Sequence, residues 1–231
     1  MNAKRGYVPE DDQNFSNTAI ETLKKASHHI SYLINEGYDL KQASTFVGNH
    51  YVLSERQRLA LMRSVATKKQ LEDRKAREKN AIAGEEVWID GFNLIITLEV
   101  MLSDSILFAC ADGTIRDLGA LRGNYRIIPE TKDAVRILLD ELTDMQAGTV
   151  HILLDQPVSN SGRLKTLIAE IAEDYRIVTD IRILKEVDKE LWKMENVITS
   201  DSIILDHCKS WINLMKKCAD RHGAKVIRVW E

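Results

Sequence analysis

Apolar residues recur along the chain with two different spacings, and the spacing changes near residue 81. Before that point they return every three or four positions, as in amphipathic helices. The pattern therefore predicts that residues 1–80 are α-helical and contain no strand. Three helices are predicted there: residues 14–35, residues 39–47 ending before Gly48, and a third that begins at a capping box of Ser54 and Gln57 and runs on into the charged residues 68–80.

After the small residues 81–84, short apolar runs alternate with helical patterns. Strands are predicted over residues 87–90, 149–155, 177–184, 196–199 and 225–230, with a hairpin over residues 105–118 that turns at Asp112 and Gly113. Helices are predicted over residues 93–102, 131–145, 161–175, 189–194 and 202–221. Strands alternating with helices indicate a parallel sheet covered on both faces. The predicted fold class is α/β: a doubly wound, mostly parallel sheet in a domain of residues 84–231, preceded by a small all-α region.

Composition and charge add a contrast between the two parts. The chain has 231 residues, 44% of them hydrophobic, which suits one large domain or two small ones. The net charge of -3 gives no overall basic signal for nucleic acid, but residues 1–80 carry +4 and residues 81–231 carry -7. A basic first part and an acidic second part fit a binding module joined to a metal-using module. Helix faces that merely differ in charge explain the same numbers.

The cysteines and the amino terminus bear on the compartment. Cys110, Cys208 and Cys218 are odd in number and have no CxxC spacing, which argues against a zinc site or a disulfide framework and favours a reducing cytoplasm. Cys208 and Cys218 are interpreted as small core residues. The first residues lack the apolar core of a signal peptide, and no apolar run reaches membrane-spanning length. We therefore expect a cytoplasmic protein with no membrane segment.

Aspartates end or directly follow three of the predicted strands. Asp90 ends the first, Asp155 ends the central one, and Asp201 follows Thr199 and Ser200 after a later one. The carboxyl ends of parallel strands meet at one edge of a sheet, so these acids are expected to converge. A buried carboxylate is costly unless it is paired or coordinates a cation. The sequence therefore predicts a site for Mg²⁺ or Mn²⁺, which hard oxygen ligands bind and which promote phosphodiester hydrolysis.

Each of these aspartates also has a simpler explanation. Asp90 and Asp201 precede helical patterns and have the position of helix N-caps. Asp155 precedes Gln156 and Pro157, where no helix starts at once, so capping explains it less well. The three acids taken together favour the metal site.

Other polar residues are candidates for roles around the acids. Asn93, three residues after Asp90, is placed to orient a water or a phosphate. Glu99 and Asp206 are predicted to be supporting acids behind the metal ligands. Asp206 lies five residues after Asp201, which is a poor match to the same helix face.

Two loops are candidates for binding phosphate or RNA. The first contains Ser159, Asn160 and Ser161 and leads into a helix whose first turn carries Arg163, an arrangement that suits a phosphate group; an ordinary turn capped by Ser161 is the alternative. In the second, arginines and an aromatic residue flank a glycine, which fits backbone clamping and base stacking, with an exposed connection as the alternative. The residues of the second loop are Arg122, Gly123, Tyr125 and Arg126.

A stripe of basic residues on the third helix is the candidate RNA-holding surface of the N-terminal region. An exposed stripe of this kind attracts phosphates, although a solvated helix face has the same composition. Its members are Arg56, Arg58, Arg63, Lys68 and Lys69.

Motif spacing excludes several enzyme classes. HxxxH and HExxH are absent, which argues against a zinc hydrolase, and so are the Walker A loop and GxSxG. Phe92, not a second aspartate, stands two residues after Asp90, which argues against an aspartyl-phosphate phosphatase.

The strand followed by Asp90, Gly91, Phe92 and Asn93, the central Asp155, and Thr199-Ser200-Asp201 resemble the PIN-like nuclease superfamily, in particular its NYN-type branch, over residues 86–230. The resemblance implies a doubly wound sheet whose strand-end acids bind Mg²⁺ or Mn²⁺ and cut RNA. It implies that Asp90, Asp155 and Asp201 are catalytic and hold metal, with Asn93 beside them. The hairpin is an insertion relative to that pattern. The usual acid of the middle helices has no single match, and Glu99, Asp140, Glu141 and Asp144 are its candidates.

The whole chain is also similar to a family known as domain of unknown function 434. The matching segments are residues 43–48, 53–58, 90–93 and 157–162. That family brings no established activity.

The favoured function is a metal-dependent ribonuclease whose N-terminal helices hold the RNA. One alternative is a non-catalytic RNA-binding or assembly protein with an incomplete metal site. Another is a phosphohydrolase that acts on small phosphate esters. The oligomeric state stays open, a homo-oligomer included.

Overall fold

A computed structural model describes residues 4–119 and 123–231. The first part of the chain consists of helices, as predicted. They are α1 (Asp11–Asn14), α2 (Asn17–Asn35), α3 (Leu40–His50), α4 (Glu55–Ser64) and α5 (Lys68–Arg77). Ser16, Asp39, Ser54 and Thr67 cap α2 to α5 by accepting hydrogen bonds from backbone N–H groups of the first turn.

Strands and helices alternate in the rest of the chain. The strands are β1 (Val87–Asp90), β2 (Leu107–Ala109), β3 (Ile115–Arg116), β4 (Thr149–Asp155), β5 (Val178–Leu184), β6 (Val197–Ile198), β7 (Trp211–Ile212) and β8 (Val226–Ile227). The helices are α6 (Gly91–Leu102), α7 (Thr131–Asp144), α8 (Ser161–Ala172), α9 (Val187–Leu191), α10 (Ser202–His207) and α11 (Leu214–Arg221). No helix in the described residues is both long enough and apolar enough to cross a membrane.

The main sheet has five strands in the order β5-β4-β1-β6-β7, and every neighbouring pair is parallel. The α/β class with a parallel sheet behind an all-helical region is therefore confirmed. Side chains of β4 alternate between two apolar layers: Ile152 and Leu154 face one core, and Leu153 faces another that contains Trp211. Burial on both faces explains why β4 reads as a continuous apolar run.

A second, smaller sheet joins the N-terminal helices to the α/β part. The hairpin of β2 and β3 is confirmed, with Gly113 in its turn at a φ of +81°, and β8 pairs in parallel with β2. One apolar core contains Phe15 and Leu23 from the N-terminal region together with Phe108 of β2 and Val229, which follows β8. The rings of Phe15 and Phe108 lie 5.0 Å apart in an edge-to-face arrangement. The helices therefore share a core with residues far beyond the composition change at 81–84.

Two predicted helix boundaries in the first part were wrong. The third predicted helix is divided into α4 and α5, because Thr67 and Gln70 form a second capping box and start a new helix. Helix α3 continues through Gly48 to His50. A Cβ at Gly48 would meet the guanidinium of Arg58 at 2.8 Å, so this glycine makes room for a neighbouring helix and does not end its own.

The single helix predicted over residues 202–221 is also wrong. The structure has α10, the strand β7 and α11 in that interval. Trp211 in β7 is fully buried and pairs with Val197 of β6. A two-residue strand is too short to show an alternation of its own, so the helical pattern on either side concealed it.

Candidate functional site

The sheet brings the predicted strand-end acids to one edge. Strand β1 lies at the centre with β4 and β6 on either side, and all three run in the same direction. Asp90 pairs in register with Leu153, so Asp155 lies two residues further along the neighbouring strand. Asp201 follows the other neighbour. The expected convergence of Asp90, Asp155 and Asp201 is thus a direct result of strand order.

Asp90 is the most buried of these acids, with 6% of its surface exposed. Its carboxylate accepts a hydrogen bond from Thr199 Oγ1 at 3.0 Å and one from the Asn93 backbone N–H at 3.4 Å, the latter as the N-cap of α6. Burial, followed by the negative charges of Asp201 and Asp155, raises the pKa of Asp90 to about 8. The two hydrogen bonds therefore do not offset the cost of charging this buried group.

Asp188 is a fourth acid of this cluster, and the sequence reasoning missed it. It lies in α9, just after β5, and its negative charge contributes to the raised pKa of Asp90 and of Asp155. Burial and the charge of Asp201 raise the pKa of Asp188 in turn. The sequence did contain a signal for Asp188, because it is an acid four residues beyond the end of β5, a strand of the same sheet. The helix predicted at 189–194 started too late and left Asp188 in a loop.

The other acids retain free oxygen atoms. Asp201 caps α10 by accepting hydrogen bonds from the N–H groups of Ile203 and Ile204 on one oxygen, Oδ1. No described residue donates to Asp201 Oδ2 or to the Asp188 carboxylate, and no described residue other than Asp155 itself donates to the Asp155 carboxylate. As they stand, no three His, Cys, Asp or Glu side chains within residues 4–119 and 123–231 are placed to hold one metal ion. The capping explanation is correct for Asp90 and Asp201, and it does not exclude a second role.

A short hydrogen-bonded chain fixes the segment after β6 against α6. Thr199 Oγ1 donates to Asp90 and accepts from the Asp201 backbone N–H at 3.0 Å. Asn93 Oδ1 accepts from both the backbone N–H and the hydroxyl of Ser200, each at 2.9 Å. Asn93 is therefore placed beside the acids as predicted, and no described residue accepts from its Nδ2 group.

A cleft of about 290 Å³ opens next to Asp201 and Asn93. Arg116 forms part of its floor, and its guanidinium donates to the carbonyl of Ser200 at 2.6 Å, to the carbonyl of Arg63 and to Asp112. Arg63 lies on the wall, with about a third of its side chain exposed. The cleft thus lies between the N-terminal helices and the edge of the sheet that carries the acids.

The two predicted supporting acids lie elsewhere and have other partners. Glu99 is fully buried, forms an ion pair with Arg5 at 2.8 Å and accepts hydrogen bonds from Tyr125 and Thr131. Asp206 is bound by Arg74 Nε at 2.7 Å and by Gln70 at 2.8 Å, which fastens α10 to α5. The structure therefore assigns both to packing between chain segments.

The loop after Asp155 is used to hold a neighbouring segment. Ser159 Oγ and Asn160 Nδ2 both donate to the carbonyl of Tyr125, at 2.9 and 2.7 Å. Asn160 has a left-handed φ of +62°, directly before Ser161, where α8 begins. Arg163 is exposed in the first turn of α8 and has no described hydrogen-bond partner.

The predicted base-stacking loop is wrong in its central residue. Tyr125 is fully buried, and its hydroxyl donates to Glu99 at 2.7 Å, so its ring is not available to a base. Arg126 is exposed and its backbone carbonyl accepts from Arg5. Arg122 lies outside the described residues.

The predicted basic stripe is largely committed to the fold. Arg56 binds Asp11 through two hydrogen bonds of 2.6 and 2.7 Å and also donates to the carbonyls of Gly6 and Leu118. Arg58 donates to the carbonyls of Leu53 and Thr45 and to Asn49. Spacing on a helix cannot show such partners, because they lie on other segments. Three members of the stripe can still contact a ligand: Arg63, which lines the cleft, and the exposed Lys68 and Lys69.

The cysteines lie in the core. All three are free and buried, and burial raises the pKa of Cys208 to about 11 and that of Cys218 to about 12. A thiol of this kind stays protonated at neutral pH and is a poor nucleophile. The chemistry of the chain is therefore sought at the carboxylates.

The raised pKa of Asp90 leads to a prediction about stability. The folded pKa of about 8 exceeds the usual value, so the folded state holds the extra proton between pH 4 and pH 8. The free energy of unfolding of the metal-free protein therefore falls as the pH rises through that window, and Asp90→Asn removes most of the fall. We expect the variant to be more stable than the wild type at pH 8, by up to about 5 kcal/mol. Urea unfolding in EDTA at several pH values measures this.

Asp174→Asn is the matched control for that experiment, because Asp174 is exposed at the end of α8. We expect it to keep the wild-type pH profile. Identical profiles for wild type and Asp90→Asn would contradict the assignment of the raised pKa.

Comparisons with known proteins fall on both parts of the chain. The family model described as "Domain of unknown function (DUF5616)" matches residues 79–217, and the one described as "Protein of unknown function (DUF434)" matches residues 22–77. An uncharacterized protein of Methanocaldococcus jannaschii is 35% identical over 186 residues, which cover 80% of this chain and 89% of the relative. No solved structure matches. The DUF434 resemblance is thus confirmed for the N-terminal helices, and neither family description names a nuclease.

Proposed function

The chain belongs to the family of proteins that share the DUF5616 domain of unknown function, and we propose from the geometry of its site that it is a ribonuclease that depends on Mg²⁺ or Mn²⁺. The observation that carries the proposal is the group of four acids beside the carboxyl ends of the parallel strands. The negative charges of Asp155, Asp188 and Asp201 all raise the pKa of Asp90, and Asp188 and Asp201 also raise the pKa of Asp155 and Asp188, respectively. Clustered carboxylates with raised pKa values are typical of functional sites.

The donor set of these acids fits a hard divalent cation. Carboxylate oxygens are the ligands that Mg²⁺ and Mn²⁺ prefer, and a cation at the cluster would offset the mutual repulsion. Asp90 is fixed by Thr199 and Asn93 and would provide the fixed ligand. Asp155 and Asp201 are half-buried and Asp188 is exposed, so their side chains have room to turn toward it. Such turning is required, since the acids are not yet in a ligating arrangement.

A bound divalent cation would neutralise the charge that grows on the phosphate oxygens and lower the pKa of a water molecule. The residues of the chain supply the rest. To hold the cation, Asp90 would release its proton to solvent. Asn93, whose Oδ1 is held by Ser200, keeps its Nδ2 group for a phosphate oxygen beside the cluster. Thr199 keeps Asp90 and the Asp201 segment in place.

RNA is the favoured substrate because the site opens toward the more basic N-terminal helices. Arg63 lines the cleft beside Asp201, and Lys68 and Lys69 are exposed at the start of the next helix. Cations on this side of the cleft would hold the phosphates that flank the cleavage point. This support is narrower than the stripe expected from the sequence, since Arg56 and Arg58 serve the fold.

Each alternative function is favoured by one observation. The small volume of the cleft, about 290 Å³, suits a phosphohydrolase that acts on small esters. The acids must turn before they can hold a cation. This suits a non-catalytic RNA-binding or assembly protein, which would act alone or as part of a homo-oligomer.

A substrate panel separates the three functions. Labelled RNAs, single-stranded DNAs and p-nitrophenyl phosphate are incubated with the protein in Mn²⁺, in Mg²⁺ and in EDTA. We expect cutting of RNA that requires the cation. Hydrolysis of the small ester alone would favour the phosphohydrolase. Retention of RNA on a filter without cutting in any cation would favour the binding protein and overturn the proposal.

Cation binding also has an effect that needs no substrate. A ligand that binds only the folded state stabilises it, by about 2.7 kcal/mol at a free concentration one hundred times Kd. We expect Mn²⁺ to raise the Tm of the wild type at pH 7.5 and to leave that of Asp90→Asn nearly unchanged, as measured by differential scanning calorimetry. Asp174→Asn should respond like the wild type. An equal rise for all three proteins would place the binding elsewhere.

A further inference from the structure

The cleft beside the acids has an apolar wall and a polar floor. Leu40, Leu59 and Met62 form the wall, on α3 and α4 of the N-terminal region. Asn93 and Ser200 belong to the floor, together with Asp201 at the end nearest the cluster. A bare anion would not account for the apolar wall, and a purely apolar ligand would not account for the polar floor. The cleft suits a ligand with one flat apolar part and one anionic part.

Arg63 is the cation of the cleft that a ligand can reach. Arg116 also lines the cleft, but each of its three guanidinium nitrogens already donates to a described residue. Arg63 donates through Nη1 to the carbonyl of Asp117 and lies 3.7 Å from the Asp117 carboxylate. The Asp117 carboxylate already accepts hydrogen bonds from the Thr97 hydroxyl and the Gly119 N–H, so its interaction with Arg63 is weakened. No described residue accepts from Nε or Nη2 of Arg63.

We propose that this cleft binds one nucleotide of the RNA, the one that adjoins the phosphate to be cut. Its base lies against Leu59 and Met62, and its phosphate meets Arg63 and the Nδ2 group of Asn93. The apolar wall provides a face for the base without reading its identity, and the guanidinium provides a charge-assisted hydrogen bond. The inference rests on the proposed function, and in it the residues of α4 position the substrate for the reaction.

The test uses 5′-AMP and adenosine as probes on the full chain in EDTA, so that no cutting occurs. Calorimetric titration is expected to show binding of 5′-AMP by the wild type. Met62→Glu should weaken it by about tenfold or more, because the wall then repels the phosphate and no longer packs on the base. Arg63→Met should weaken 5′-AMP by about tenfold and adenosine far less, because only the phosphate contact is lost. Lys165→Glu, on an exposed site of α8 outside the cleft, is the control and should bind like the wild type.

A cleavage assay on RNA completes the test. Met62→Glu is expected to raise KM and to leave kcat nearly unchanged, and Met62→Ala repeats the measurement with a milder change if the glutamate disturbs folding. One outcome would overturn the nucleotide site and leave the proposed ribonuclease activity intact. In it, the wild type cuts RNA, KM is unchanged in both Met62 variants, and 5′-AMP does not bind. Binding of 5′-AMP that depends on Met62, without cutting in any cation, would overturn the ribonuclease and leave a nucleotide site. Neither binding nor cutting would overturn both.

Discussion

Asp90→Asn is expected to lower the rate of cation-dependent RNA cleavage by about a thousandfold or more. Asp90 is the central and most buried acid, and Asn93, Thr199 and three other carboxylates are arranged around it. Asparagine keeps the shape and the hydrogen bond from Thr199 but cannot supply a negative charge to a cation. Single-turnover cleavage of a labelled RNA in Mn²⁺ measures the loss.

The change in stability makes this prediction specific. A substitution that merely damaged the fold would lower both activity and stability. Here the variant should lose activity while its free energy of unfolding rises at pH 8, because the mutual repulsion of the acids is relieved. Asp174→Asn should keep full activity. Cleavage by Asp90→Asn within tenfold of the wild type would remove Asp90 from the catalytic centre.

Arg74→Leu is expected to lower the free energy of unfolding by about 3–5 kcal/mol. Arg74 is almost fully buried on α5, where it binds Asp112 of the hairpin at 2.6 Å and Asp206 of α10 at 2.7 Å. Leucine fills most of the space but leaves Asp112 in the interior with Arg116 as its one remaining cation. Removing one partner of a buried ionic network costs more than the pair contributes, since the other charge stays buried. Urea unfolding at pH 7 gives the value.

Lys75→Leu is the matched control, one position along the same helix. Lys75 is largely exposed and, among the described residues, pairs only with Glu78, so its loss should change stability by no more than about 0.5 kcal/mol. A loss below about 1 kcal/mol for Arg74→Leu would show that the network contributes little to stability.

The central strands were predictable from sequence because their signal is local. Strands β1 and β4 begin and end at the predicted residues, and Asp90 and Asp155 end them. A parallel strand buried on both faces is a continuous apolar run, and a polar residue marks its end. The position of three site acids follows from that rule and the order of the strands.

The remaining parts depend on contacts between distant segments, which a single sequence does not display. Arg56 looked like a free cation on a helix face, but its partner Asp11 lies 45 positions earlier. Tyr125 looked like an exposed aromatic, but it binds Glu99, which lies 26 positions earlier on helix α6. Asp188 was missed for a different reason. A five-residue helix has too few apolar positions to fix its own start.

The apolar core that Phe15 and Leu23 share with Phe108 and Val229 bears on how such a protein can evolve. The two family models meet between residues 77 and 79, yet a gene that encoded only residues 79–231 would yield a chain with Phe108 and Val229 uncovered and Asp112 without Arg74. Recombination that moved either segment alone into a new gene would therefore be selected against. The two segments are expected to occur as an inherited pair, either in one polypeptide or in two that assemble permanently.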